Sequence, residues 1–323
     1  MSFLKFLLLF GGSLYAIKFV STFIIQLLAR FLPKQNLKKK YITDWGLVTG
    51  GSSGIGRAMV EELASQGLNV VIVAYPEPKF DEAIAELRAK YPQREFRQLN
   101  IDLAGDEKAI AKEITDAVAD IDIGVMHLNA GICLLESAFA PTKRTLAEFH
   151  INVVSHMHIF YALYPRIATR KRNPKNQKRG AVFFTSSSAM QMPLPYSCIY
   201  GGTKAYIGHF ASYLSCEAHA SGVDIVSAIP GFVNTRLTEN IPGLSEVEAM
   251  EKIGQPPSEI ASAFVRNAGR ITEVDCGAIE YSARFLASII DRNFFIYFHW
   301  KTAYKQDQLK KMVPFPDLPN ETQ

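Results

Sequence analysis

The sequence predicts an α/β fold, a single doubly wound parallel sheet that is preceded by an N-terminal membrane helix. Three observations lead to this prediction: short apolar runs alternate with helical stretches, a glycine-rich turn follows the first run, and residues 6–29 form one long apolar segment. Strands that alternate with helices at this spacing form βαβ units and a parallel sheet. The predicted organisation is a transmembrane anchor over residues 1–32, a basic linker over 33–43, a sheet domain over 44–300 and a polar tail over 301–323.

The elements of the sheet domain follow from local patterns. Short apolar runs between turn signals predict strands at residues 45–49, 70–74, 96–101, 123–128, 181–185 and 223–229. Apolar residues at helical spacing predict helices at residues 57–66, 80–90, 108–118, 145–169 and 200–220. A sheet domain of roughly 255 residues has the usual size of one folded unit.

The N-terminal segment is apolar except for Lys18 and a few small or polar residues. At ~1.5 Å per residue it is long enough to span a bilayer. Lys18 opposes insertion by roughly 2.5–3.5 kcal/mol, which the surrounding apolar side chains offset. An interfacial helix is the alternative, and a cleaved signal peptide is disfavoured because no A-x-A-like site follows. The basic flank from Arg30 to Lys40 places the sheet domain in the cytosol by the positive-inside rule.

Composition and charge exclude several classes of protein. With 48% hydrophobic and 20% charged residues, the chain is not a disordered protein. The net charge is +4, but residues 1–43 hold seven basic and no acidic residues, which leaves 28 basic and 31 acidic residues beyond them. This balance does not indicate nucleic acid as a partner.

The cysteines and histidines do not indicate a metal centre or a disulfide framework. The four cysteines are widely spaced and form no CxxC pair, as expected for a reducing compartment. His156 and His158 are two residues apart, which points them in different directions on a helix. We therefore predict no metal site.

The glycine-rich turn runs from Thr49 to Gly56, between a strand and a helix. Backbone N–H groups at the start of a helix attract anions, and glycines allow positive φ and close approach, so the turn predicts a phosphate-binding loop. The same turn also fits G-x-S-x-G around Ser52, the nucleophile elbow of α/β-hydrolases. Because an elbow follows a later strand and does not need Gly56, dinucleotide binding is the favoured interpretation.

Tyr200 and Lys204 are four residues apart and share one face of a helix. An ammonium group lowers the pKa of a nearby phenol from about 10, which makes the pair a plausible acid–base unit. Three serines, Ser186 to Ser188, lie shortly before it at the C-terminal end of a predicted strand. Ligands bind at that edge of a doubly wound sheet.

Over residues 44–270 the order of these motifs resembles the classical short-chain dehydrogenase/reductase family, whose fold is the Rossmann fold. The resemblance implies four catalytic residues: Asn152, Ser187, Tyr200 and Lys204. It also implies a set of cofactor-binding residues, which are Thr49, Gly50, Ser52, Ser53, Gly54, Ile55, Gly56, Tyr75, Asp102, Leu103, Asn129, Ala130, Gly131, Tyr200, Lys204, Pro230, Gly231, Val233 and Thr235. The chain departs from the family's Asn-Asn-Ala-Gly motif at Leu128.

The resemblance implies hydride transfer between a nicotinamide and a carbonyl or alcohol carbon. Tyr200 would exchange the proton, and Lys204 would lower its pKa and hold the nicotinamide ribose. Ser187 would hydrogen-bond the substrate oxygen, with Ser186 and Ser188 as alternatives, and Asn152 would support a proton-relay water.

The cofactor preference is inferred from the segment after the second strand. An NAD enzyme usually has an acidic residue there for the ribose 2′-hydroxyl, but this chain has Tyr75 and reaches no acid before Glu77. The basic residue of NADP forms is also missing, so Arg57, Lys79 or the Ser52 hydroxyl would serve the 2′-phosphate. We predict NADP(H) rather than NAD(H).

The segment Asp122 to Val125 favours a membrane-anchored branch of the family, which includes very-long-chain 3-oxoacyl-CoA reductases and 17β-hydroxysteroid dehydrogenases. This branch implies lipid metabolism at the endoplasmic reticulum, with a lipid-like carbonyl as substrate and a homodimer as an option. The alternatives are a 3-ketodihydrosphingosine reductase and a non-catalytic nucleotide-binding scaffold. Two segments each have two interpretations. The basic loop 170–179 is a solvated loop or a membrane contact, and residues 285–300 are a packed helix or a membrane-dipping one.

Overall fold

The computed structural model describes residues 2–138, 141–193, 195–238 and 254–303. Its centre is a seven-stranded parallel sheet in the order β3-β2-β1-β4-β5-β6-β7. The strands are β1 (Trp45–Thr49), β2 (Asn69–Ala74), β3 (Phe96–Asn100), β4 (Ile123–Leu128), β5 (Gly180–Thr185), β6 (Val223–Pro230) and β7 (Glu273–Cys276). The sheet confirms the predicted doubly wound fold, and its strand order reverses between β1 and β4, where such sheets bind ligands.

Helices flank the sheet on both faces. They are α1 (Phe3–Phe31), α2 (Leu37–Tyr41), α3 (Gly54–Ser65), α4 (Pro78–Lys90), α5 (Glu107–Ala117), α6 (Lys143–Phe149), α7 (Ser155–Ala168), α8 (Cys198–Ser221), α9 (Pro257–Asn267), α10 (Ala278–Ile289) and α11 (Arg292–Ala303). A π-helix, His150–Val154, joins α6 to α7 and interrupts the long helix predicted over 145–169. The predicted domain boundary at residue 300 falls inside α11.

The core consists of two apolar clusters, one on each face of the sheet. Val48 and Phe183 pack with α3, α4 and α9 on one face, whereas their neighbours Leu47 and Phe184 pack with α5, α7 and α8 on the other. Successive side chains of a strand point to opposite faces, and here both faces are covered. The apolar strand runs in the sequence reflect this double burial.

The C-terminal part of α1 packs against the edge of the sheet domain. Gln26 is buried; its Nε2 donates to the Glu273 carbonyl over 2.8 Å, and its Oε1 accepts from the Asp275 N–H over 3.1 Å. These contacts satisfy backbone groups of β7, which is an edge strand. Lys18 lies beside α10, where its Nζ donates to the Ser288 carbonyl over 3.4 Å. Within the described residues, α1 is the one helix long and apolar enough to cross a membrane.

The basic linker folds against the sheet domain. It contains α2, and its Lys34 and Lys40 pair with Glu62 at 2.6 Å and with Asp224 at 3.0 Å. The basic loop is adjacent, because Lys178 pairs with the same buried Asp224 at 2.6 Å. The positive charges of both segments therefore contribute to docking on the N-terminal edge of the sheet.

Candidate active site

The loop after β1 has the backbone of a phosphate cradle. Gly50 and Gly54 have φ of 66° and 56°, in the region that favours glycine. A Cβ on Gly56 would overlap the Gly50 carbonyl oxygen and lie 2.6 Å from Asn129 Nδ2. Ser53, the N-cap of α3, makes no side-chain capping bond, which leaves the first N–H groups of the helix for an anion. These residues fit the pyrophosphate of a dinucleotide.

Hydrogen bonds join this loop to the end of β4. Thr49 Oγ1 accepts from the N–H groups of Asn129 at 2.9 Å and Ala130 at 3.1 Å, and Asn129 Nδ2 donates to the Thr49 carbonyl at 3.1 Å. Asn129 Oδ1 in turn accepts from Thr185 Oγ1 at 3.0 Å. Leu128, the departure from the family motif, is a buried core residue.

The other expected cofactor residues lie at the same C-terminal edge of the sheet. Tyr75 is 61% exposed just beyond β2, and Asp102 follows β3, where its Oδ1 accepts from the Ala104 N–H. The segment beyond β6 folds back over the phosphate loop, because Thr235 Cγ2 is 3.0 Å from the position of a Cβ on Gly54. Pro230 ends β6, and Leu103, Gly231 and Val233 lie in the segments that follow β3 and β6.

Asn152 lies inside the π-helix, a local widening that often marks a functional site. Its Oδ1 accepts from the Ile132 N–H at 2.9 Å, and its Nδ2 donates to the Ile132 carbonyl at 3.0 Å and to Thr203 Oγ1 at 3.2 Å. The side chain therefore ties the loop after Gly131 to α8. This arrangement uses both Nδ2 hydrogens of Asn152 and one of the two lone pairs of its Oδ1.

Tyr200 and Lys204 lie buried on the first turns of α8, with Lys204 Nζ 5.6 Å from the centre of the Tyr200 ring. Lys204 Nζ donates to the Thr185 carbonyl at 2.9 Å. Burial lowers the pKa of Lys204 to about 8 and raises the pKa of Tyr200 above its usual value. The sequence predicted a lowered phenol pKa; the direction is opposite because desolvation outweighs every other influence on this side chain.

The structure distinguishes the three serines. Ser187 hydrogen-bonds to Tyr200, and it also accepts from the Ala189 N–H at 3.2 Å. Ser186 Oγ is buried and donates to the Lys204 carbonyl at 2.8 Å. Ser188 begins a short 3-10 helix. Ser187 is thus the serine that the fold brings to the tyrosine.

Glu148 is a residue near this site that the sequence analysis missed. It is 1% exposed, and its Oε1 accepts from the Leu134 N–H at 3.0 Å. Burial raises its pKa to about 7, and burial raises the pKa of neighbouring Cys133 to about 12. A signal existed, because Glu148 precedes Asn152 by four residues and therefore faces the same side of the helix.

The candidates for a 2′-phosphate also differ from expectation. Arg57 is committed elsewhere: it donates to Glu61 at 3.0 Å, to the Ala83 carbonyl at 2.7 Å and to Glu86 at 3.1 Å. Lys79 is exposed at the start of α4. Within the described residues, no group of histidine, cysteine and acidic side chains could hold a metal ion.

Comparison with known proteins identifies the family. A family model described as short chain dehydrogenase matches residues 45–243. A very-long-chain 3-oxoacyl-CoA reductase of Podospora anserina is 29% identical over 261 residues, 77% of this chain and 75% of that protein. A 7beta-hydroxysteroid dehydrogenase of Collinsella aerofaciens is 30% identical over 246 residues, 75% of this chain and 89% of that protein. A solved structure concerned with 7beta-hydroxysteroid dehydrogenase stereoselectivity matches 82% of this chain and 100% of its own, with a TM-score of 0.71 and 26% identity.

These relatives are oxidoreductases, so the hydrolase alternative for Ser52 is wrong. The phosphate cradle, the strand order and the side chains gathered around Tyr200 agree with the family match. The chain belongs to the short chain dehydrogenase family and is an oxidoreductase that acts on CH–OH or keto groups with a nicotinamide dinucleotide.

Proposed function

We propose that this protein is a membrane-anchored, NADP(H)-dependent reductase of lipid-like carbonyl compounds, of the 3-oxoacyl-CoA or hydroxysteroid type. The observation that carries the proposal is the grouping of Ser187, Tyr200 and Lys204 on buried, adjacent elements at the edge that bears the phosphate loop. A non-catalytic scaffold would not need a buried lysine beside a buried tyrosine, because burying a charge is costly.

The chain's own residues divide the chemistry among them. A bound nicotinamide supplies the hydride. Tyr200 donates its proton to the substrate oxygen, while Ser187 holds that oxygen within reach of the phenol. Lys204 stabilises the phenolate that forms and also holds the nicotinamide ribose. Its Nζ donates to the Thr185 carbonyl, which fixes the ammonium group at the end of β5. The Asn152 carbonyl is the proposed support for the relay that returns a proton to Tyr200.

The surroundings of the catalytic side chains support a lipid-like substrate. The loop after Gly131 is apolar from Ile132 to Leu135, and Met190 and Met192 follow Ser187. These side chains are partly exposed, and Met190 packs against Gly208 of α8. A partly exposed apolar surface of this kind favours an apolar chain or ring system as substrate over a small sugar. The names of the two similar enzymes point to the same substrate class.

The proposed membrane contact uses more than one helix. The part of α1 ahead of Lys18 is exposed and apolar except for Lys5. At ~1.5 Å per residue it extends only about 22 Å, less than a ~30 Å hydrocarbon core, and Lys18 itself donates to the Ser288 carbonyl, so the insertion proposed here is shorter than the spanning anchor predicted over residues 1–32. The helices α10 and α11 expose Leu286, Phe294, Tyr297 and Phe298. We propose that residues 3–17 insert and that these side chains approach the same lipid surface. The proposed location is the endoplasmic reticulum, with the catalytic domain in the cytosol.

The decisive experiment is the oxidation of NADPH by the purified full-length protein with 3-oxoacyl-CoA, steroid, sphingoid ketone and retinal substrates. We expect turnover with a long-chain 3-oxoacyl-CoA or a ketosteroid. Tyr200→Phe should reduce it ~10²–10⁴-fold, because the transferable proton is lost. Turnover of the sphingoid ketone alone would support the alternative reductase, and a Tyr200→Phe variant with more than about a tenth of the activity would refute the assigned acid.

A further inference from the structure

One ion pair joins two distant rims of the cofactor cleft. Arg236 Nη1 donates to Glu77 Oε1 at 2.9 Å, and Arg236 Nη2 donates to Glu77 Oε2 at 3.1 Å. Such a two-point contact fixes the plane of the guanidinium against the carboxylate. The pairing holds the pKa of Glu77 below its usual value, so the carboxylate stays charged at neutral pH.

The pair crosses the sheet above the phosphate loop. Glu77 follows β2 and Arg236 follows β6, and three strands, β1, β4 and β5, lie between those two in the sheet. At about 4.8 Å between neighbouring strands, the loops bridge roughly 19 Å. Thr235, the residue before Arg236, lies against Gly54 at the N-terminus of α3. The ion pair therefore lies over the end of the cleft where the first βα turn meets the end of β2.

The chemistry of this position concerns the adenosine ribose. The end of β2 is where a dinucleotide-binding sheet meets the ribose 2′ position, through a carboxylate for a hydroxyl or a cation for a phosphate. Here both kinds of group are present and bound to each other. A guanidinium that binds a carboxylate through two parallel hydrogen bonds suits a phosphate equally well.

We propose, on the basis of the NADP(H) dependence proposed above, that Arg236 is the cation that binds the 2′-phosphate, and that its ion pair with Glu77 breaks when the phosphate binds. The phosphate and the Glu77 carboxylate compete for one guanidinium and repel each other. A cofactor without the phosphate leaves the ion pair intact and meets Glu77 as a partner for its 2′-hydroxyl. The pair thus selects between the two cofactors from opposite sides of the cleft.

Two other basic residues, Arg57 and Lys79, are candidates for binding the 2′-phosphate and must be compared with Arg236. Arg57 already has three partners, two of them carboxylates. Lys79 is the rival, because it is exposed two residues after Glu77. Arg94 is a suitable control, since it binds the Gly67 carbonyl at 2.9 Å at the opposite edge of the sheet.

The test measures binding of adenosine 2′,5′-bisphosphate and of 5′-AMP to the detergent-solubilised full-length protein by calorimetry. For Arg236→Gln we expect at least a tenfold loss of affinity for the bisphosphate and a change of less than twofold for 5′-AMP. Glu77→Gln should strengthen bisphosphate binding severalfold, because the competing carboxylate is gone. Arg236→Lys should lose part of the affinity, and Arg94→Gln should change neither ligand.

The outcomes separate this inference from the proposed function. If Arg236→Gln or Arg236→Lys, folded by circular dichroism, leaves the ratio of the two affinities unchanged, the assignment of Arg236 is wrong. A tenfold loss with Lys79→Gln and none with Arg236→Gln assigns the phosphate to Lys79 and also overturns it. If the wild-type protein binds 5′-AMP and NADH but shows no preference for the bisphosphate, NADP(H) dependence fails together with this inference. If the wild type binds both ligands normally yet reduces no lipid-like carbonyl, only the proposed substrate class fails.

Discussion

Replacing Glu148 with Gln removes an ionisable group from the neighbourhood of Tyr200 and Lys204 and keeps an oxygen that can accept the Leu134 N–H. In the wild type that N–H lies 3.0 Å from Glu148 Oε1, and the side chain is 1% exposed. Burial raises the pKa of the carboxyl group to about 7 from the ordinary 4.5. The variant therefore tests electrostatics with little change in shape.

The sign and size of the effect follow from linkage. Because the pKa of Glu148 is higher in the folded state, the folded protein holds this proton over a range of pH in which the unfolded chain has lost it. The contribution of Glu148 to the stability of the wild type should then fall as the pH rises from about 4.5 to about 7, and stay level above that range. A difference of about 2.5 pKa units, at about 1.36 kcal/mol each, corresponds to about 3 kcal/mol.

Urea unfolding of the full-length protein between pH 5 and pH 8 measures this effect. The advantage of Glu148→Gln over the wild type should grow with pH, toward about 3 kcal/mol at pH 8. Glu148→Ala should be about 1–3 kcal/mol less stable than Glu148→Gln at every pH, because the Leu134 N–H is left without its partner. Glu113→Gln, on the exposed side of α5, controls for the loss of one carboxyl group. Parallel curves for wild type and Glu148→Gln would refute the argument.

Three further predictions concern other parts of the molecule. Because burial lowers the pKa of Lys204 to about 8, its charge is lost as the pH rises through that value, and kcat/KM for reduction should decline there; a profile that stays level to pH 10 would contradict this. Gly56→Ala should abolish dinucleotide binding and cost about 1–3 kcal/mol by overpacking, whereas Gly202→Ala, whose Cβ meets nothing within 4 Å, should be neutral or stabilising in thermal unfolding. Deleting residues 2–17 should release the protein from carbonate-washed membranes and leave its melting temperature unchanged. Deleting residues 1–32 should lower the melting temperature by about 4 °C or more, because the Gln26 contacts are also lost. Equal melting temperatures for the two truncations would count against a structural role for Gln26.

The sequence predicted the sheet well because its strands are buried on both faces and read as uninterrupted apolar runs. The exception is β7, which no pattern predicted. Its four residues include Glu273 and Asp275, and a buried aspartate contradicts the apolar rule. The reason is a tertiary contact, because Asp275 pairs with Arg284 of α10 at 2.6 Å. A single strand pattern cannot show such a partner.

The proposed acid–base pair was predicted from spacing, but its electrostatics were not. Spacing places Tyr200 and Lys204 on one face, and the structure agrees. It does not reveal how deeply both are buried, which is why the direction of the Tyr200 shift was wrong. The ion pair of Glu77 with Arg236 was missed for another reason, since its members are 159 residues apart and meet only across the folded sheet.

One buried histidine, His156 of α7, connects Asn152 of the π-helix with the loop after β1. Thr49 Oγ1 accepts two N–H groups, so its hydrogen is available to His156 Nε2, 3.0 Å away. His156 is neutral near pH 7, because burial lowers its pKa to about 4. With Nε2 accepting, the proton is assigned to Nδ1, which donates to the Asn152 carbonyl over 3.2 Å. The loop proposed to cradle the pyrophosphate and the carbonyl proposed to order the relay are therefore joined by one chain of hydrogen bonds.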